Sequence, residues 1–201
     1  MCDRRRESFS GVSRARIHRN FCMNGFNWRL KGRCYKLGHD VPHPGGVIPN
    51  RFIVAREMDP QNLIPHLFEE TDPGFHLRAQ PGDIIVTGRN FGMGPKANGY
   101  IAMQAMGLGL VCESMPFLAY RAAVGAGVRV LSDCINVSEI CATGDDLEVD
   151  FGAGFFVNHT RGISREYPPL PDALREIVEV GGNTGWLKRW WAQQPATGTP
   201  A

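Results

Sequence analysis

The sequence predicts a mixed α/β domain, and three observations carry that reading. Short β-branched runs, above all Ile84, Ile85 and Val86, alternate with stretches of helical apolar spacing. Glycine- and proline-marked turns separate them. The order runs from strand-rich loops to strand–helix–strand–helix, then a hairpin, then terminal helices. That order suits one compact domain of three-layer or barrel-like form.

Composition narrows the function classes. At 43% hydrophobic and 21% charged, the 201 residues are ordinary for a soluble protein. No apolar run approaches the ~20 residues needed to span a bilayer. The net charge of +2 is unevenly placed: residues 1–29 carry seven arginines against Asp3 and Glu7, which leaves the rest mildly acidic. An acidic body argues against nucleic-acid binding there. The six cysteines form no Cys-x-x-Cys pair. A disulfide framework, a zinc knuckle and an iron–sulfur cluster held by this chain are therefore not predicted. Reduced thiols in a cytoplasmic protein are the expectation.

Residues 1–27 are rich in Arg and Ser without periodicity, and read as a disordered arm. Organelle targeting or RNA docking by that arm stays open, although Asp3 and Glu7 count against a transit peptide. The folded domain is expected over residues 28–191. Trp28 to Lys36 alternates as a strand, and a long Pro/Gly loop follows through Ile53. His39, Asp40 and His43 lie close together in that loop, but its prolines offer no regular face for metal ligation. Surface or pocket-lining polar groups are the better reading. Asp59 caps a short helix with Pro60 at its first position and Pro65 distorting it. Thr71 to Gly82 reads as turns.

The centre of the chain is Pro81–Met115. A strand at Asp83–Thr87 feeds a turn containing Gly88, Gly92 and Gly94. Pro95 then suits the first helical position, with Lys96 in the first turn. Helical spacing follows from Asn98, and Leu108–Cys112 returns to strand. A glycine turn opening a helix aims unpaired N–H groups and a positive dipole end at one spot, an arrangement that suits carboxylate or phosphate. A tight turn without ligand has the same appearance. The glycine spacing is neither a dinucleotide fingerprint nor a P-loop. Pro116–Gly125 reads as helix and Val128–Leu131 as strand. Asp146–Phe151 and Gly154–Asn158 read as a hairpin. Pro171–Val180 is an amphipathic helix with Leu174, Ile177 and Val178 inward. Trp186 to Trp191 reads as a packed helical cap, with a partner surface as the alternative. Residues 192–201 read as a flexible tail.

From about Gly32 to Lys188 the chain resembles the small subunit of 3-isopropylmalate dehydratase, the counterpart of the swivelling domain of aconitase-superfamily hydro-lyases. The segments carrying the resemblance include VIPNRFI (Val47–Ile53), PGDIIVTGRNFGMG (Pro81–Gly94), GLGLVCESM (Gly107–Met115), YRAAVGAGV (Tyr120–Val128) and GDDLEVDFGAGFFVNHTRG (Gly144–Gly162). The resemblance implies a swivelling β/β/α fold with an aconitase C-terminal-domain-like mixed sheet. It also implies a partner large subunit bearing a [4Fe–4S] cluster, with no cofactor on this chain. The substrate implied is a 2-hydroxy carboxylic acid that is dehydrated or hydrated, the iron acting as Lewis acid on the hydroxyl.

The turn departs from the family pattern. The family reads Gly-Cys-Gly-Ser-Ser-Arg-Glu-His where this chain has Gly92-Met93-Gly94-Pro95-Lys96-Ala97-Asn98-Gly99. VPHPGG (Val41–Gly46) likewise replaces an Asp-Thr-Asp element. Two readings stay open: a rebuilt site, or a non-catalytic homologue serving as a binding or assembly module. For the rebuilt site, Lys96 is the candidate catalytic group, as carboxylate holder or as a base whose pKa burial would have to lower. Asn90, Gly92, Met93, Gly94 and Arg121 are the candidate substrate contacts, and no metal ligand is expected.

Overall fold

In the computed structural model, which describes residues 25–94 and 96–194, one seven-stranded mixed sheet organises the chain. Its strands are β1 (Arg29–Lys36), β2 (Ile84–Thr87), β3 (Gly109–Cys112), β4 (Arg129–Leu131), β5 (Asp146–Asp150), β6 (Phe155–Asn158) and β7 (Ile163–Glu166). Their spatial order is β4-β3-β2-β1-β5-β6-β7. β1 is the junction between two kinds of sheet. On one side it pairs parallel with β2, and β2–β3 and β3–β4 continue parallel. On the other side it pairs antiparallel with β5, and β6 and β7 extend the meander.

The alternation of side chains along these strands builds two cores. Tyr35, Ile85, Leu110, Cys112 and Val130 face the first, which the helices cover. Cys34, Ile84, Val86, Val111 and Leu131 face the second, together with Leu147, Val149, Phe151 and Phe156 from the antiparallel half. The sheet therefore curls so that its antiparallel half closes over the back of its parallel half. β2 and β3 are buried along their whole length because both faces are covered, which is why they read as continuous apolar runs. Gly109 marks how tightly the halves meet: a Cβ there would lie 2.5 Å from the Phe151 ring. This is the swivelling β/β/α arrangement that the resemblance implies.

The helices are α1 (Asn50–Val54), α2 (Pro60–Leu63), α3 (Phe75–Arg78), α4 (Asn98–Ala105), α5 (Phe117–Gly125), α6 (Asp172–Glu179) and α7 (Asn183–Ala192). Asp59 caps α2 as expected, its carboxylate accepting from Gln61 N at 2.9 Å. Pro65 tightens the following turn into a 3-10 helix at Ile64–His66. α1 and α3 correct the expectation of loop, being single turns too short to show a period. β7 was likewise not expected, because an edge strand of Ile, Ser, Arg and Glu lacks apolar alternation. In α6, Val178 is buried and Leu174 and Ile177 are half-buried against the same core.

Two further expectations change. Lys96 precedes α4 rather than sitting in its first turn: α4 opens at Asn98 with Ala97 at its cap position. Pro95, residues 1–24 of the expected arm and residues 195–201 of the expected tail lie outside the described residues. Phe26 and Asn27 do pack on the domain, since Arg129 donates to Asn27 O at 2.8 Å and stacks over the Phe26 ring. The tryptophans of α7 form no packed cap. Trp186, Trp190 and Trp191 are all exposed, Trp191 by 75%. Among the described residues no helix is long and apolar enough to cross a membrane.

Candidate functional site

The turn from Gly88 to Gly94 links β2 to α4 at the C-terminal edge of the parallel strands, the usual place for a ligand in such a sheet. Its amides are largely engaged. Gly88 N donates to Gly38 O at 3.2 Å and Gly92 N to Val41 O at 2.7 Å. Arg89 N donates to His39 Nδ1 at 2.9 Å. Asn90 N reaches Ser114 Oγ and Phe91 N reaches Ser114 O, each at 3.0 Å. The amides of residues 88–92 therefore clamp the turn to the 38–41 segment and to Ser114, so of the two readings left open they follow the tight turn rather than the anion cradle.

The named side chains divide into two groups. Asn90, in the left-handed region at φ 61°, donates its side-chain amide to Asp40 at 3.0 Å and lies 2.9 Å from Met93 Sδ. Met93 is half-buried, and its carbonyl accepts from His43 N at 2.8 Å. Gly94, at φ 115°, brings its carbonyl to Lys96 N at 3.0 Å. Gly92 is buried, and a Cβ there would sit 2.0 Å from Tyr100 Oη. These four hold the turn together. Lys96 and Arg121 form the second group. Both are exposed, and both line one groove of about 680 Å³ with Phe117, Leu118, Leu174 and Ile177. The guanidinium of Arg121 lies 5.5 Å from the centre of the Phe117 ring. Neither cation has an acidic partner within ion-pair distance among the described residues.

Beneath the turn lies a polar pair that the sequence reading did not single out as functional. His43, placed there as a surface or pocket-lining group, is instead buried. Gly99 N donates to its Nε2 at 3.3 Å, so this imidazole stands in for the missing side-chain cap of α4. Asn98 is unavailable for that task because its amide donates to Glu57 O. The rings of His43 and Tyr100 are 4.9 Å apart, and both His43 Nδ1 and Tyr100 Oη are buried without a partner. Burial, then the nearby charge of Lys96, lowers the His43 pKa from 6.5 to about 4. Burial likewise pushes the Tyr100 hydroxyl up. A Pro-Gly loop gives no periodicity from which a buried histidine could be read.

The described cysteines are not placed as cluster ligands. Cys34, Cys112, Cys134 and Cys141 are all buried in the cores. Burial pushes the Cys112 thiol up to about 12 and raises that of Cys134 as well. Cys34 is raised by its hydrogen bond to Cys141. The same hydrogen bond lowers the Cys141 thiol. Among the described residues no group of three His, Cys, Asp or Glu could hold a metal ion.

Comparison with known proteins gives a consistent set of relatives. The chain is 34% identical over 163 residues to a 3-isopropylmalate dehydratase small subunit of Archaeoglobus fulgidus, covering 80% of this chain and 96% of the relative. A second small subunit from that organism is 37% identical over 161 residues, again with 96% of the relative covered. The isopropylmalate/citramalate isomerase small subunit of Methanocaldococcus jannaschii is 34% identical over 167 residues, covering 82% of this chain and 96% of the relative. Among solved structures, a 3-isopropylmalate dehydratase from Methanocaldococcus jannaschii superposes with a TM-score of 0.72 at 27% identity, covering 82% of this chain and 96% of that one. No family model matches the chain.

Proposed function

The chain belongs to the family of 3-isopropylmalate dehydratase small subunits, and from that premise we propose that it is the small subunit of a hydro-lyase acting on a 2-hydroxy carboxylic acid. The partner is a large subunit that carries the iron–sulfur cluster. The part assigned to this chain is to hold the substrate.

The observation that carries the reading is the meeting of Lys96 and Arg121 on one groove beside the turn after β2. Arg121 offers a planar fork that matches a carboxylate in bidentate fashion, already oriented by the Phe117 ring. Lys96 adds a point charge on a flexible stem. Its exposure suits holding a carboxylate rather than abstracting a proton, because a lysine base needs burial. Docking against the large subunit would cover the groove, exclude water and strengthen both contacts.

The test is anaerobic reconstitution with a candidate large subunit, followed by a screen of 2-hydroxy di- and tricarboxylates that includes 3-isopropylmalate. Turnover is the expected result. Lys96→Ala and Arg121→Ala are each expected to lower kcat/KM by about 10- to 100-fold, the range for a lost charged hydrogen bond, without moving Tm. The internal use of the amides at residues 88–92 favours a second reading, that of a binding module without catalysis. A complex that assembles yet turns over no acid in the screen would select it.

A further inference from the structure

The groove that holds Lys96 and Arg121 is much longer than a carboxylate needs. Its cationic end is formed by Lys96 and by Arg121 stacked over Phe117. From there it runs along α5 past Ala122 and Val124, with Leu174 and Ile177 of α6 as the facing wall. Asn183, at the start of α7, closes the far end, where Gly125 leaves room for it: a Cβ on Gly125 would lie 2.6 Å from the Asn183 side-chain nitrogen. Phe117 to Gly125 spans eight residue steps of a helix, about 12 Å. Charge is thus confined to one end and the walls beyond it are apolar.

We propose that this groove recognises a dicarboxylate bearing an extended, unbranched apolar substituent, with the anionic head at Lys96 and Arg121 and the tail along α5 and α6. The proposal rests on the functional reading above and narrows its substrate class. Two unpaired cations at one end select an anion and set its direction. The apolar walls beyond them reward each methylene that leaves water. A short branched substituent would fill only the part next to Arg121 and leave the half-buried Leu174 and Ile177 wet. Two other cavities among the described residues do not offer this pattern. The one lined by Met115, Ser132, Asp133 and Pro168–Pro171 has an aspartate and no cation, and the one beside His39 and Arg89 faces Glu113 and Glu139.

Calorimetric titration of the full-length chain with succinate, butylsuccinate and octylsuccinate tests the proposal. Affinity is expected to rise about twofold per added methylene in a half-open groove, up to the groove's length. Ile177→Arg is expected to remove that gain, and the double variant Lys96→Ala/Arg121→Ala to weaken every member of the series by at least tenfold. Should Ile177→Arg fail to fold, Ala122→Trp fills the same wall from α5 and is expected to act alike. Affinity that stays flat with chain length overturns the proposal, as does a gain that persists in the folded wall variant. The outcome is separable from the hydro-lyase reading. A flat series alongside turnover in the reconstituted complex removes only the tail. A length-dependent series without turnover keeps the groove and removes the catalysis.

Discussion

Gly92 and Tyr100 show how a single position can be set by one neighbouring atom. Gly92 has φ 76°, and a Cβ there would meet Tyr100 Oη at 2.0 Å. Gly92→Ala is expected to cost about 2–4 kcal/mol through backbone strain and overpacking. Tyr100→Phe removes a buried hydroxyl that has no partner, and is expected to leave stability unchanged or raise it by up to about 1 kcal/mol. The double variant is expected to lose less than Gly92→Ala alone, a coupling that urea unfolding of the four proteins measures directly. Strict additivity would show that the hydroxyl is not what the glycine accommodates. His43 makes a second prediction. Its folded pKa lies near 4, below the 6.5 of the unfolded chain. The unfolded state therefore takes up a proton first as the solution is acidified. The protein loses stability as pH falls from about 6.5 towards 4, by about 3 kcal/mol in all. Above pH 7 this contribution is constant. The difference in unfolding free energy between wild type and His43→Gln should change across that window and be level above it. A level difference throughout would mean that the ring is not buried in its neutral form.

Among the elements, the junction at β1 depends on a carboxylate. Asp83 is buried, and its two oxygens accept from Arg33 N at 2.7 Å and Gln80 N at 2.8 Å. It thereby sets where β2 starts against β1, just where the parallel half meets the antiparallel half. Gly32 allows the approach, since a Cβ there would lie 2.5 Å from Gly82 O. Asp83→Ala leaves two amides without their acceptor and is expected to cost about 2–4 kcal/mol. A shift in the urea midpoint at constant slope is the signature of that loss. Little or no shift would mean that water replaces both bonds. A comparable anchor holds the hairpin end, where Asp145 accepts from Ala142 N, Asn158 Nδ2 and Arg161 Nε.

For the whole molecule, the exposed apolar surface is concentrated on the helical layer. Phe117 and Leu118 of α5 stand 71% and 53% exposed, and the tryptophans of α7 add to the same layer. Contiguous exposed apolar surface of this kind marks an interaction site. The curled sheet contributes support instead: the core on its helical side holds α4 and α5, and so the backbone that carries Arg121. Assembly with a large subunit is the experiment on which both the catalytic reading and the role of those cations turn.

Much of this was already legible in the chain. Ile84–Val86, the spacing after Asn98, the Asp59-Pro60 cap and the hairpin around Gly152 each carry a local signal, because strand burial, helix capping and turn chemistry act over a few residues. The family segments likewise pointed to the fold and to the small-subunit reading. Short or polar elements such as α1, α3 and β7 lack that periodicity and became visible only through their packing and pairing. The site divides in the same way. Lys96 and Arg121 could be named from the sequence, but 24 intervening residues and a β-strand separate them. Only the packing of α5 beside the turn after β2 brings them to one groove. Whether the turn's amides are free for a ligand or spent on Val41, His39 and Ser114 was decided by residues far away in sequence. Hydrogen-bond partners are chosen in three dimensions, whereas glycine spacing reports only the freedom of the backbone to reach them.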